Sequence, residues 1–373
     1  MTPPPHRHDF VLDAGTMRVA IDPASALTDP DPVFDLASRL NRKRGFLIVS
    51  KLIGRHLPTR PQTMRETMAA LAGQLPDLGD GPVLFIGMAE TAVGLGQGVH
   101  AAWTRDHEAP ALFLSTTRQT APDLDVLLRF EEAHSHASTH IVHVPIAAAD
   151  RELIDRTTTL VLIDDEASTG LTMDALEAAL RARLPALQRA WQLVIADWTD
   201  SRPGRLSLMR GAIEWIADDA AGFDAPAPTA RLNRPGDTLA GASAARTGYR
   251  RLVRDMPPLP ALPAASRVVV LADGENGYDA LLIAERLEAE GHRCVLQSIT
   301  RSPAALGGAM TSRHAFSDSH GSGAPCFAYN LFLSDPDAIV CVVERVACQR
   351  AELEAAARDA ARSVSIHVVE VSK

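Results

Sequence analysis

The segment LVLIDDEASTGLT occupies residues 160–172 and decides how the chain is read. Four apolar residues run into Asp164 and Asp165, as a strand buried on both faces does when it reaches its C-terminal edge. Open α/β sheets bind ligands at that edge. Glu166 and Ala167 follow, then Ser168, Thr169, Gly170, Leu171 and Thr172, where a helix begins. Small residues let backbone N–H groups approach an anion, and a helix N-terminus adds donors and a favourable dipole. One end of the segment is thus built for hydroxyls and the other for a phosphate. A ribose 5-phosphate carries both. The competing reading is a strand, an Asx-type turn and a capped helix.

Working outward, apolar runs alternate with helical periodicities. Strands are predicted at 82–86, 111–115, 139–144, 159–163 and 192–196, with helices over 64–75, 91–103 and 172–183. The apolar centre at 45–49 of the basic stretch RLNRKRGFLIVSKLIGRH, residues 39–56, reads as a strand or a helix edge. Residues 1–35, rich in Pro and Asp, are expected to be an irregular lead-in. Residues 36–218 form a first α/β domain with a mostly parallel sheet and flanking helices. Residues 219–265, rich in Ala, Pro, Gly and Arg, read as a connecting segment. A second, smaller Rossmann-like α/β domain spans 266–373, with strands in RVVVLA, CVLQSI, DAIVCVVE and SVSIHVVEV.

Composition bounds the function. The chain has 373 residues, 46% hydrophobic and 22% charged, as an ordinary globular protein of two domains has. Its net charge of -9 argues against wholesale nucleic-acid binding. Cys294, Cys326, Cys341 and Cys348 form no C-x-x-C pair and are expected as buried thiols. No apolar run suits a membrane span or a secretory leader, so the default location is the cytoplasm.

A second anion-binding turn is expected in GMAETAVGLG, residues 87–96, after the strand at 82–86. It places Gly87, Met88, Ala89, Glu90 and Thr91 before a helix N-terminus. The stretch from 116 to 143 carries Thr116, Thr117, Arg118, Arg129, Glu131, Glu132, His134, His136, His140 and His143. Four of the 13 histidines lie within ten residues. A covering loop with substrate or acid–base chemistry, a metal cluster and a solvated polar loop are all compatible with that pattern. In the second domain Asp273, Glu275 and Asn276 follow one strand, and Thr300, Arg301 and Ser302 end the next. An anion site there competes with a plain turn bearing an exposed Arg. His314, Asp318 and His320 fall in a loop expected to face the same way.

The 160–172 segment resembles the phosphoribosyl pyrophosphate (PRPP) motif of type I phosphoribosyltransferases. The strings GFLIVSKLIGRH, GMAETAVGLG, TTRQT, FEEAHSHASTH and IDDEASTG look like the bacterial group found with tellurium- and stress-resistance gene clusters. There a C-terminal domain named for a T-R-S-P string follows, as at residues 300–303 here. The resemblance implies an enzyme that moves the 5-phosphoribosyl group of PRPP to a base-like nitrogenous acceptor and releases pyrophosphate. Asp164 and Asp165 would hold the ribose, and residues 166–172 its phosphate. Residues 87–91 would take the pyrophosphate, with Lys51, Arg55 or Arg118 as its cation. Arg118 and Glu132 would join the acidic pair in catalysis, and Thr116, Thr117, Glu131, His134, His136 and His140 would belong to the lid. Mg²⁺ is implied as cofactor, held mainly by PRPP with Asp164 and Asp165 acting indirectly. A homodimer without nucleic-acid or membrane partners is also implied. A PRPP-binding regulator without catalysis, the reverse base-releasing reaction, and a second reaction step in the C-terminal domain are the rival readings.

Overall fold

The structure, a computed structural model, describes residues 4–39, 45–118, 124–131, 139–218, 246, 248–250, 256–319, 323–344 and 349–371. The chain opens with β1 (His6–Leu12) and β2 (Gly15–Ile21), an antiparallel hairpin. In β2, Met17, Val19 and Ile21 alternate with more exposed residues and bury one face. The expectation of an irregular lead-in is corrected by this hairpin. Next, β3 (Phe34–Ser38) and β4 (Phe46–Ser50) pair antiparallel as a separate flap. Helix α1 (Pro61–Ala72) starts on a proline, whose fixed φ suits the first helical turn.

The central layer follows with β5 (Val83–Gly87), α2 (Val93–Asp106) and β6 (Ala111–Ser115). Strands β7 (Val126–Glu131) and β8 (Thr139–His143) pair antiparallel with each other. The 139–144 strand is real but stands outside the main sheet. Helix α3 (Ala148–Asp155) precedes β9 (Thr159–Ala167), α4 (Leu171–Arg183), β10 (Arg189–Asp197) and β11 (Arg205–Ala217). Strand β9 runs four residues past its expected end at 163, and β11 was not expected at all. The seven-stranded sheet has the order β1-β2-β11-β10-β9-β5-β6. Its last five strands are mutually parallel, and the hairpin adds antiparallel strands beside β11.

The C-terminal unit holds β12 (Arg267–Asp273), α5 (Gly277–Ala289) and β13 (Arg293–Ile299). A small hairpin of β14 (Arg313–Phe316) and β15 (Cys326–Tyr329) comes next, then β16 (Ala338–Val343), α6 (Gln349–Asp359) and β17 (Ser365–Glu370). Its four strands are parallel in the order β13-β12-β16-β17. The chain is therefore α/β, with a large mostly parallel sheet and a smaller parallel one.

The two sheets share an apolar core. One cluster of buried residues includes Phe85, Val99 and Leu162 with Val268, Ala280 and Leu296. Helices α2 and α5 cross at glycines: a Cβ on Gly94 would sit 3.1 Å from the Gly277 carbonyl carbon. The Arg65 guanidinium of α1 forks onto Glu285 of α5 at 2.5 and 2.8 Å and donates to the Tyr278 hydroxyl at 2.9 Å. Cys294, Cys326 and Cys341 are buried free thiols; Cys348 lies outside the described residues. Among the described residues no helix is long and apolar enough to cross a membrane.

Candidate functional site

Strand β9 carries Asp164, Asp165 and Glu166 half-buried at its C-terminal end, and Ser168, Thr169 and Gly170 lead into α4. Gly170 sits at φ +74°, a left-handed conformation that glycine adopts without steric cost. A Cβ there would lie 2.3 Å from Nη2 of Arg205. That guanidinium is buried under the turn and held on three sides. It donates to Gln192 Oε1 at 2.9 Å, Thr199 Oγ1 at 2.7 Å and Asp174 Oδ1 at 3.1 Å. Sequence reading missed Arg205, because it reaches the turn from β11. Asp165, Glu166 and Ser168 line a cleft with Arg55, Thr91, the flap residues Leu47, Ile48 and Ser50, and Ser302 of the second unit. Asp164 Oδ1 accepts the Asp165 N–H at 2.9 Å.

The turn after β5 faces this segment. Gly87 is required by crowding: a Cβ would stand 2.8 Å from Ala92 O. The Met88 N–H donates to Ile163 O at 2.9 Å and the Ala89 N–H to Thr116 Oγ1 at 2.8 Å. Those two amides fix the turn to its neighbours. The Ala89–Glu90 peptide is cis. Burial alone would raise the Glu90 pKa, but Arg55, Arg301 and Arg118 more than offset this and hold it low. Arg55 Nη2 pairs with Glu90 Oε2 at 2.6 Å, and its Nη1 donates to Gly274 O of the second unit at 3.0 Å. Lys51, expected as a possible pyrophosphate cation, lines neither cleft. Its Nζ donates to Asp31 O at 2.8 Å and pairs with Asp35 at 3.6 Å.

The residues assigned to a lid divide. Thr116 and His140 are buried, 3.2 Å apart, and His140 stacks on Phe130. Of the residues expected in a lid, these two lie beneath the turn, where Thr116 Oγ1 accepts the Ala89 N–H. Thr117 is also buried and donates to Glu275 of the second unit at 2.9 Å. His143 is buried against Asp125 O at 3.3 Å, and exposed Glu131 accepts from Thr139 at 2.7 Å. Arg118 lines a second cavity. Glu132, His134 and His136 lie outside the described residues. Among the described residues no group of three His, Cys, Asp or Glu side chains is placed to hold a metal ion.

The second cavity sits where the C-terminal edge of the smaller sheet meets the turn at Glu90. Asp273, Glu275, Thr300, Arg301, Asp318 and Ser319 line it with Glu90, Arg118 and Arg246. Burial pushes the Asp273 carboxyl up to about 6, although Ser319 and Gln349 hydrogen-bond it. Arg246 is wholly enclosed between Glu275 at 2.8 Å and Glu344 at 3.0 Å, a role no local signal in the connecting segment announced. Asn276 takes no part: its Nδ2 donates to Asp273 O at 2.8 Å. Ser302 faces the first cleft. His314 packs edge-on against Phe332, away from either cavity lining, and His320 lies outside the described residues.

Residues 33–213 match the model of the family described as "Phosphoribosyl transferase", and residues 242–357 that of "TRSP domain C terminus to PRTase_2". No curated protein matches the chain. Among solved structures, an adenine phosphoribosyl transferase from Trypanosoma brucei, in complex with AMP, pyrophosphate and ribose-5-phosphate, is 15% identical, with a TM-score of 0.32. The match covers 45% of this chain and 65% of that one, so the chain spans less than two thirds of it. A hypoxanthine phosphoribosyltransferase from Staphylococcus aureus is 13% identical, with a TM-score of 0.26, over 39% of this chain and 68% of that one.

Proposed function

Since the chain belongs to the phosphoribosyl transferase family and carries the TRSP domain that follows it, we propose that it transfers the 5-phosphoribosyl group of PRPP to a nitrogenous acceptor, releasing pyrophosphate. The observation that carries this reading is the cleft in which Asp165, Glu166 and Ser168 face Thr91 and Arg55. A sugar-phosphate end and a diphosphate end stand on the edges of neighbouring parallel strands, β9 and β5. The acceptor nitrogen bonds to ribose C1 as the C1–oxygen bond breaks and its electron pair leaves with pyrophosphate. Positive charge grows at C1, so positioning and charge stabilisation supply the rate. The acidic pair Asp164 and Asp165 orients the ribose hydroxyls and supports that charge. Residues 168–172 hold the 5-phosphate above the Arg205 guanidinium, and the Glu90 and Thr91 amides receive the diphosphate.

The half-buried carboxylates of residues 164–166 offer the hard oxygens that Mg²⁺ prefers. Asp164 and Asp165 would hold the ion indirectly, and it would neutralise charge on the diphosphate. The flap residues Leu47 and Ile48 and nearby Ile53 give the cleft an apolar wall suited to a flat heterocyclic acceptor. A nucleoside-like product, a place among tellurium- and stress-resistance functions, a homodimer and a cytoplasmic site belong to the same reading; light scattering tests the dimer. The primary test is calorimetry of PRPP with Mg²⁺ against the native chain and the Asp164→Asn/Asp165→Asn double variant. Binding lost in the variant supports the site and opens a screen of bases for pyrophosphate release. A folded native chain that ignores PRPP would overturn the proposal.

A further inference from the structure

The two α/β units do more than adjoin at the turn. Arg301 lies two residues past the end of β13 of the second unit, and its position is fixed on both sides. The preceding residue, Thr300, exchanges two 2.8 Å backbone hydrogen bonds with Phe327, and Arg301 Nη2 pairs with Asp318 at 3.1 Å. From there its Nε reaches Glu90 Oε1 at 3.6 Å. Arg55 grips the other carboxylate oxygen of Glu90 at 2.6 Å. Arg55 itself is steered by a carbonyl of the second unit, Gly274 O. Arg118 lines the same cavity. Guanidiniums from both units therefore converge on one carboxylate in the turn assigned to the diphosphate, Arg55 and Arg301 by contact and Arg118 by its charge.

That arrangement poses an electrostatic problem with one economical solution. A carboxylate in a diphosphate-binding turn repels its ligand, and inside a low-dielectric cavity the repulsion is strong. Guanidinium forks bind carboxylate and phosphate oxygens with the same bidentate geometry. The Glu90 carboxylate can therefore occupy the position of a phosphate group and exchange with one. We propose that the pyrophosphate site is built across the domain boundary, Arg301 of the C-terminal unit joining Arg55 and Arg118, with the Glu90 carboxylate as the internal anion that pyrophosphate displaces. This rests on the phosphoribosyl-transfer reading and extends it: the C-terminal unit supplies a ligand-binding residue to the first active site, and Ser302, on the wall of the sugar cleft, belongs to the same wall.

The test uses the full chain and two probes, pyrophosphate with Mg²⁺ and ribose 5-phosphate, each titrated by calorimetry. Arg301→Ala is expected to weaken pyrophosphate binding by ~10- to 100-fold, the effect of losing a charge-assisted hydrogen bond. Ribose 5-phosphate binding should stay unchanged. Glu90→Gln removes the competing anion and should tighten pyrophosphate binding several-fold. If Arg301→Ala does not fold, the Glu90→Gln measurement decides, because a purely structural ion pair predicts weaker or unaltered binding there. Unchanged pyrophosphate affinity in a folded Arg301→Ala protein overturns the proposal. A native chain that binds ribose 5-phosphate but not pyrophosphate overturns it too, while leaving the sugar-phosphate site standing. A native chain that binds neither removes the reading on which it rests.

Discussion

Gly170 is where backbone geometry and ligand chemistry meet. Its φ of +74° and the Arg205 guanidinium behind it leave no room for a side chain. Gly170→Ala should cost ~1–3 kcal/mol through backbone strain. It should also push the turn off its guanidinium support and weaken ribose 5-phosphate binding. Thermal denaturation and calorimetry on one preparation separate the two effects. Asp273 gives a pH-dependent expectation. Its folded pKa of about 6 lies above the ordinary carboxylate value, so the stabilisation from its protonated form is complete below about pH 4 and lost as pH rises through 6. The native chain should lose ~2–3 kcal/mol across that window from this group. Asp273→Asn should lack that component, a difference that urea melts at pH 4 and pH 7 would expose. The strand end at 164–166 and the turns at 168–170 and 87–91 were legible as local structure, because a buried apolar run that ends in carboxylates or in glycine marks the edge of a sheet. Arg205 and Arg246 were not, since each reaches its partners from a distant segment. Sequence could not choose among Lys51, Arg55 and Arg118; the Lys51 side chain turns to Asp31 and Asp35.

Among elements, the buried parallel strands were the most readable, because burial on both faces makes each an uninterrupted apolar run. Such a run does not say which sheet it joins. Residues 139–143 therefore read as a member of the central layer, yet β8 forms a separate two-stranded sheet with β7, joined to Thr117 by a single antiparallel bridge at Ile141. Strand β11 escaped because Arg210, Gly211 and Glu214 interrupt its apolar residues on a half-exposed strand. The β2 signal was present in the alternation of Met17, Val19 and Ile21, and the Pro- and Asp-rich composition around it obscured the pattern. The α2–α5 crossing gives a prediction at this scale. Gly94→Val would drive a branched side chain into the Gly277 backbone. An overpacking cost of ~1–3 kcal/mol should lower the thermal midpoint by several degrees. Tighter packing with no loss of midpoint would show that the helices can slide apart freely.

For the whole molecule, length and composition implied two domains, and the packing joins the two units through one core. Val268, Ala280 and Leu296 of the smaller unit lie in one apolar cluster with Phe85 and Leu162 of the larger. Arg65, Thr117 and Arg55 each bond across the boundary. Scanning calorimetry should therefore give one cooperative transition for the chain. Two resolved transitions would mean the shared cluster contributes little. No periodicity in one sequence could reveal this, since contacts between units leave no spacing signature.

The shared core also has a consequence for synthesis. When β11 emerges from a ribosome, the larger sheet has all its strands, but ~70 residues remain before α5 is complete. At ~5–20 residues per second that is a delay of ~4–15 s, during which the face meant for α5 has nothing to cover it. The nascent chain would spend that interval as a client for holdase chaperones, and slowing translation within residues 219–265 would lengthen its exposure.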